Sequence, residues 1–339
     1  MLIYRHIGGG YRVFNTAGLQ FVKHVFTYIK LLREFKPDVV HFHFGFCYPV
    51  YAPIALMFGA KATFKTMHCN LSRDNEMYLV QDKKELPLEK RAFYIWGHAL
   101  QFVSEVVYVS KCSQRQFQTY ITKNNKGEVI YLGVPDAKSV SDEDKSLLRR
   151  QLNIPTDAFV ICNTSFATRW KSVDTIISAL PYLKHQNCVQ LILGWDEDIP
   201  LTAEMHTLAR TLGVEEKIRW IGITNEVYKY LSISDIYVQP SRTETLGLAV
   251  CEAMSYGLPC VGSNAGGLPE VCNVLFETGN SRELAEKLDT LMADPALRAK
   301  LGSESKKAFE EKFKLQRGVE AYHRLYAETL AKKRKKQKA

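Results

Sequence analysis

Apolar residues in this chain fall into two alternating patterns. Short runs of apolar or β-branched residues, bounded by Gly, Pro, Asn or Asp, alternate with longer stretches whose apolar positions recur every three or four residues. In the first half the short runs are Val39–His43, Ala62–Thr66, Val106–Ser110 and Val129–Leu132, which predict strands. Leu19–Phe35 has apolar residues at 19, 22, 25, 26, 29 and 32 and predicts a helix. The second half repeats the pattern, with strands predicted at Phe159–Thr164, Val189–Gly194, Ile218–Ile221, Ile236–Gln239, Pro259–Gly262 and Val274–Phe276. Between them, helices are predicted at Ser172–Leu183, Ala203–Leu212, Glu226–Ile233, Leu248–Tyr256 and Ser281–Met292. Alternating strand and helix builds parallel α/β layers. Two such series predict two Rossmann-like lobes facing a cleft, with ligands beyond the carboxyl ends of the strands.

The polar segment Ala137–Lys145 reads as the connection between them. Phe309, Phe313, Tyr322, Leu325, Tyr326 and Leu330 sit at helical spacings, with Gly318 predicted to break that stretch into two helices. The division expected is a lobe at 1–137, a second at 138–315, a helix at 316–330 packing back on the first lobe, and a tail at 331–339.

At 339 residues, 46% hydrophobic and 24% charged, the chain is long enough for two domains and has globular composition. No apolar run reaches the roughly 18–20 residues of a spanning helix, and the first residues show no secretory leader. The expected location is cytoplasmic, or peripheral at the inner face of the cytoplasmic membrane. Eight cysteines, none in a CxxC pair and most in apolar runs, read as reduced small hydrophobes. The first 136 residues carry seventeen basic against ten acidic side chains, and residues 331–339 carry six more basic ones. The stretch between is net acidic. That asymmetry suits an anionic partner, whether membrane phospholipid, a lipid phosphate or nucleic acid. Nucleic acid is the weakest of the three and is not expected, because no recognition motif appears.

The densest chemical signal is the segment 240–259, continuing through 263–271. A strand ends at Pro240, Glu244 lies in the turn that follows, Gly247 stands at a helix start, Glu252 lies on that helix and Gly257 stops it. A helix N-terminus with free amides is an anion site. Two carboxylates eight residues apart, roughly 12 Å if the span were helical, bracket a pyrophosphate. Carboxylates accept from vicinal hydroxyls and repel phosphate, so the arrangement sorts sugar and ribose from the diphosphate between them. Read singly, each glutamate is equally a capping or solvated side chain.

Together these residues resemble the Glu-x7-Glu signature of retaining glycosyltransferases of family four, which have the GT-B fold. Lys36–His43, Thr66–His68, Val109-Ser110, Val129–Val134, Leu191–Gly194, Ile218–Gly222 and Ser234–Ser241 resemble the family in register. The resemblance implies an acceptor-side first lobe and a donor-side second lobe. It implies transfer of a sugar from a UDP-, GDP- or ADP-sugar to a glycan or lipid-linked acceptor, as in bacterial surface polysaccharide or lipopolysaccharide synthesis, with neither metal nor cofactor. It further implies Glu252 on the ribose, Glu244 by the donor sugar, and the amides of Leu246, Gly247 and Leu248 on the diphosphate. Lys171 matches the phosphate-binding lysine and His68 the histidine facing the donor sugar. Gly222 would lie near the base, and Gly267 near the donor.

Two departures matter. Ser165-Phe166 replaces the family's Gly-Arg, so Arg169 either takes over the phosphate contact or faces solvent. Only 35 residues precede Lys36, so the first lobe is expected to be short by about one βα unit or more, either because the true start lies upstream or because the lobe is trimmed. Gly8-Gly9-Gly10 either imitates the family's glycine loop or joins a later strand to the first helix. The alternative is then a non-catalytic nucleotide-sugar-binding or partner-binding module with a decayed first lobe. A nicotinamide oxidoreductase ranks below both, for no GxGxxG follows a strand. Asp142-Glu143-Asp144 and Asp196-Glu197-Asp198 spell DxD, but 36 acids produce such triplets easily. His41 and His43 share a strand face without a third ligand and read as packed or acceptor-side histidines.

Overall fold

The computed structural model describes residues 17–43, 48–68, 100–120 and 127–338. Gly8-Gly9-Gly10, Cys47 and Cys69 lie outside them. The described part of the first lobe comprises α1 (Ala17–Phe35), β1 (Val39–Phe42), α2 (Tyr48–Met57), β2 (Ala62–Met67), β3 (Glu105–Tyr108), α3 (Lys111–Tyr120) and β4 (Glu128–Val129). Its four strands are parallel, in the order β1-β2-β3-β4.

The second lobe runs α4 (Asp142–Gln151), β5 (Phe159–Thr164), α5 (Val173–Ala179), β6 (Cys188–Leu193), α6 (Pro200–Thr211), β7 (Ile218–Ile221), α7 (Val227–Ser232), β8 (Ile236–Gln239), α8 (Leu248–Ser255), β9 (Cys260–Ser263), β10 (Val274–Phe276), α9 (Ser281–Ala293) and α10 (Pro295–Ala308). Its parallel sheet has the order β10-β9-β8-β5-β6-β7. Strand order reverses between β5 and β8, so the loops leaving these two neighbours diverge and open a crevice.

Both faces of the second sheet are covered, which explains why its strands read as nearly continuous apolar runs. Ile161, Ile192, Ile236 and Val238 pack toward Ile176, Ile177, Leu284 and Leu288 on one side. Val160, Cys162, Leu191 and Tyr237 pack toward Val250, Met254, Phe309 and Phe313 on the other.

Two sequence expectations need correction. The polar segment read as a linker becomes α4 at Asp142: Ser141 Oγ accepts from Asp144 N at 3.1 Å, and three acids occupy the first turn. Ser, Asp and Lys marked a helix start, where a cap and acidic charge oppose the dipole, rather than an open connection. The break near the C-terminus falls at Lys314, which is extended, and not at Gly318. Gly318 is helical, inside α11 (Leu315–Lys338), and a side chain there would come 3.2 Å from the Tyr131 carbonyl. It is small because the helix passes close to the backbone of the segment Tyr131–Gly133 that leaves the first lobe.

At Lys314 the chain crosses back between the lobes. Val134 N donates to Phe313 O at 2.9 Å and Leu315 N to Val134 O at 2.9 Å, so the outward and return crossings are hydrogen-bonded to each other. Beyond them α11 covers the first sheet: Leu325 packs with Ala62, Phe64, Val107 and Ile130, flanked by Tyr322 and Tyr326. The basic tail continues this helix, and Lys333 Nζ reaches Ser104 Oγ at 2.8 Å. No helix among the described residues is long and apolar enough to cross a membrane.

Candidate functional site

The crevice at the strand-order reversal receives Lys171 from the loop after β5 and Glu244 from the loop after β8. The Lys171 ammonium donates to the Glu244 carboxylate, with the two side chains 20% and 14% exposed. The loops are fixed to each other from behind: Arg242 N donates to Trp170 O at 2.7 Å, and the Arg242 guanidinium lies 3.4 Å from Asp174. Lys171 is thus aimed by backbone.

Glu244 ends a polar chain that starts deep in the sheet. Tyr237 OH donates to Gln239 Oε1 at 2.9 Å, Gln239 Nε2 to Ser241 Oγ at 2.8 Å, and Ser241 Oγ to Glu244 Oε1 at 3.0 Å. Tyr237 and Gln239 follow the two-residue period of β8 and share one face, and Ser241 lies two residues beyond, just past the strand's end. Sequence reasoning passed over them. Their signal was there: polar residues at alternate positions among Ile236, Val238 and Pro240 in a buried strand.

Gly247 takes φ +96° and caps α8, a backbone shape that side chains resist. Leu246 is buried before it and Leu248 is partly exposed after it. Only Leu248 to Glu252 of the Glu244–Glu252 span is helical, about 6 Å of rise, so the 12 Å helical separation does not hold; Glu244 stands on the loop ahead of the helix. Glu252 is half-buried, and burial raises its carboxyl above the ordinary range. Gly267 packs edge-on to the same loop. Its N–H donates to Glu244 O at 2.8 Å, and a Cβ there would lie 2.2 Å from Thr245 O.

His68 follows β2 and faces this loop from the first lobe. Thr245, next to Glu244, donates through Oγ1 to the His68 carbonyl at 3.1 Å. The His68 ring meets that of His43, with Nε2 and Nδ1 3.0 Å apart. Behind them, His41 Nδ1 lies 2.5 Å from the Tyr326 hydroxyl and Nε2 2.8 Å from the Thr66 hydroxyl. Thr66 Oγ1 is 3.1 Å from Tyr322 OH. The buried Lys65 ammonium donates to the His43 carbonyl. Burial first, then the neighbouring histidine and Lys65, push His68 down to about 3. Burial, His43, His68 and Lys65 push His41 down to about 2. His43 is lowered by burial and Lys65. All three rings are therefore neutral at pH 7. The packed-histidine reading of His41 and His43 misses that they buttress His68.

The remaining predicted residues are less closely involved. Arg169 is 71% exposed and forks both oxygens of Glu204 at 3.0 Å. Gly222 follows β7 with open space where a Cβ would lie, and its carbonyl accepts from Gly194 N at 3.2 Å. Trp220, two residues earlier, stacks on His206 with centroids 4.4 Å apart. The acidic triplets serve local structure: Asp142 pairs with Lys145, and Asp196 Oδ1 accepts from Asp198 N at 3.1 Å. Among the described residues no three His, Cys, Asp or Glu side chains converge as metal ligands.

The model of the glycosyl transferases group 1 family matches residues 144–308, and that of glycosyltransferase family 4 matches residues 3–138. An N-acetyl-alpha-D-glucosaminyl L-malate synthase of Bacillus anthracis is 25% identical over 215 residues, 62% of this chain and 56% of that protein. The O-antigen biosynthesis glycosyltransferase WclY of Escherichia coli is 22% identical over 232 residues, 68% of this chain and 64% of WclY. The chain thus spans less than two thirds of these curated relatives. Among solved structures, HepE of Anabaena in complex with UDP superposes with a TM-score of 0.77 at 22% identity, covering 89% of this chain and 82% of that one. A sucrose-phosphate synthase of Thermosynechococcus elongatus gives 0.78 at 20% identity, covering 96% and 80%. These likenesses establish the GT-B fold.

Proposed function

The chain belongs to glycosyltransferase family four, and on that premise we propose that it transfers a sugar, with retention and without a metal ion, from a nucleotide-diphosphate sugar to a glycan or lipid-linked acceptor of surface polysaccharide or lipopolysaccharide. The observation that carries the reading is the enclosed Lys171–Glu244 pair at the strand-order reversal, with His68 held opposite by Thr245. Relatives named for O-antigen and lipopolysaccharide core biosynthesis support the acceptor class. The solved HepE complex with UDP-glucose supports the donor class.

In this reading the diphosphate lies at the N-terminus of α8, where amides flanking Gly247 and the helix dipole meet its charge. Lys171 leaves Glu244 for the phosphate as it binds. Glu252 accepts the ribose hydroxyls, and its half-buried carboxylate gains the donors that burial denies it. The bond from the anomeric carbon to the phosphate oxygen breaks, and that oxygen keeps the electron pair. The acceptor hydroxyl attacks from the same face, and its proton passes to the leaving phosphate. Lys171 and the helix terminus stabilise the departing charge, which grows toward the transition state. Neutral His68 hydrogen-bonds the donor sugar without competing for its charge.

The test is release of nucleoside diphosphate from UDP-, GDP- and ADP-sugars in EDTA, with the product anomer read by proton NMR. Turnover with one nucleotide and a retained anomer is expected. Dependence on added metal, or an inverted product, overturns the corresponding part of the reading.

A further inference from the structure

Glu270 lies three residues beyond Gly267, in the short turn Leu268–Glu270 of the second lobe. Its carboxylate crosses to the first lobe. Oε2 accepts from Lys111 N at 3.0 Å and Oε1 from Cys112 N at 2.7 Å. These are the first two amides of α3, a ten-residue helix whose N-terminus favours an anion. Tyr131 OH, on the connecting segment, donates to Oε2 at 2.9 Å. Burial and that hydrogen bond hold the phenol protonated. Ser110 Oγ accepts a further amide of the same turn, from Ser113 at 3.0 Å. The helix start is thus capped partly from its own lobe and partly from the other.

The two ends of this contact both lead to the site. On the first-lobe side, Met67 and Tyr108 are register partners in the parallel β2–β3 pair, so His68 and the start of α3 leave adjacent strands at the same edge. On the second-lobe side, Gly267 N holds the Glu244 carbonyl, and Thr245 holds the His68 carbonyl. Two loops flanking Glu244 therefore reach two neighbouring strand exits.

We infer that Glu270 is a positioning residue that clamps the start of α3 to the donor loop and so keeps Glu244 in register with His68. What the register serves rests on the proposed transfer reaction; the clamp itself does not. A carboxylate suits the task because it is acceptor-only and meets three donors. Glutamine presents one acceptor and an NH2 group that faces a donor.

The experiment uses the full chain with Glu270→Gln, Glu270→Asp and Tyr131→Phe. Amide hydrogen exchange is read in the peptide spanning 109–120, alongside kcat and KM with the nucleotide sugar and Kd for the nucleoside diphosphate. The clamp predicts exchange at the start of α3 at least tenfold faster in Glu270→Gln. It also predicts kcat down about tenfold with nucleotide Kd within threefold. Tyr131→Phe should move both readouts the same way by less, and Glu270→Asp should recover part of the loss. Unchanged exchange overturns the clamp. Faster exchange with unchanged kcat overturns its positioning role and leaves Glu270 a helix cap. If Glu270→Gln does not fold, Tyr131→Phe carries the same test. If the parent neither binds nucleotide nor turns over, the transfer reading fails, and exchange in the variants still decides the clamp.

Discussion

Lys171 and Glu244 are the only ion-paired residues among those described whose side chains are both no more than a fifth exposed. In the proposed reaction a diphosphate enters beside this pair, and the ligand and Glu244 then compete for one ammonium. Removing the lysine deletes a charge-assisted hydrogen bond and leaves the glutamate charge facing the phosphates. Such bonds contribute about 1.5–3 kcal/mol, roughly a tenfold to hundredfold in affinity. Lys171→Met should weaken nucleoside diphosphate binding by that much in calorimetry while leaving the bare nucleoside unaffected. Equal loss for both ligands would place Lys171 elsewhere than on the phosphates.

Glu252 makes a pH prediction. Burial raises its folded-state pKa above the ordinary value. Ionised Glu252 therefore disfavours the empty folded protein, a cost absent when it is protonated at low pH and incurred as pH rises through the raised pKa. Ribose hydroxyls stabilise the ionised form, so binding should draw on it. The affinity advantage of the parent over Glu252→Gln should shrink as pH falls through that pKa. A constant ratio of the two affinities from pH 7 to pH 4.5 would remove Glu252 from the ribose.

The buried histidines make the opposite one. His41 and His68 are depressed to about 2 and about 3. Groups with depressed folded pKa values contribute stability fully above the unfolded value, near 6.5, and lose it as pH falls toward the folded one. His41 faces Tyr326, Thr66 and Tyr322, with His43, His68 and Lys65 adding no acid to offset a second charge. Unfolding free energy should fall between pH 6.5 and pH 5 by up to about 1.4 kcal/mol per pH unit for each such histidine. His41→Gln should flatten the slope by one such increment. A stability profile level across that window contradicts the neutral network.

Much of this was legible in the sequence because two periodicities carried it. Phe159–Thr164, Ile218–Ile221, Ile236–Gln239 and Val274–Phe276 coincide with their predicted strands, and the other two second-lobe strands are each displaced by one residue. Glu244, Gly247 and Glu252 stood out because their spacing is local to one strand exit, and Lys171 only through the resemblance to the family. Longer-range chemistry was hidden. Nothing in the linear order places Glu270 on α3, more than 150 residues earlier, or Tyr326 on His41. The far end of the linker, from Asp142, and Gly318 were misread for a shared reason: Ser-Asp clusters and glycines mark caps and close contacts as well as breaks. Arg169 shows the remaining gap, since an arginine two residues from Lys171 turns to Glu204 on α6.

Gly267 is constrained by contact with the donor loop. A Cβ would lie 2.2 Å from Thr245 O and 3.0 Å from Leu246 Cα, both backbone. Neither can swing aside, so Gly267→Ala must displace the turn that leads into Gly247. Overpacking of this kind costs about 1–3 kcal/mol. The variant should melt several degrees lower and bind nucleoside diphosphate at least tenfold more weakly. Parent-like melting and binding would show that the turn moves freely.

In the proposed function the crevice between the β5 and β8 loops holds a nucleoside diphosphate without a metal. The direct measurement is a thermal-unfolding titration of the chain with UDP, GDP and ADP in EDTA. At one hundred times its dissociation constant a ligand adds about 2.7 kcal/mol, a shift of several degrees for a chain of this size. Such a shift is expected with one of the three, surviving EDTA and lost in Glu252→Ala. No shift with any of them, or a shift that EDTA abolishes, would contradict it.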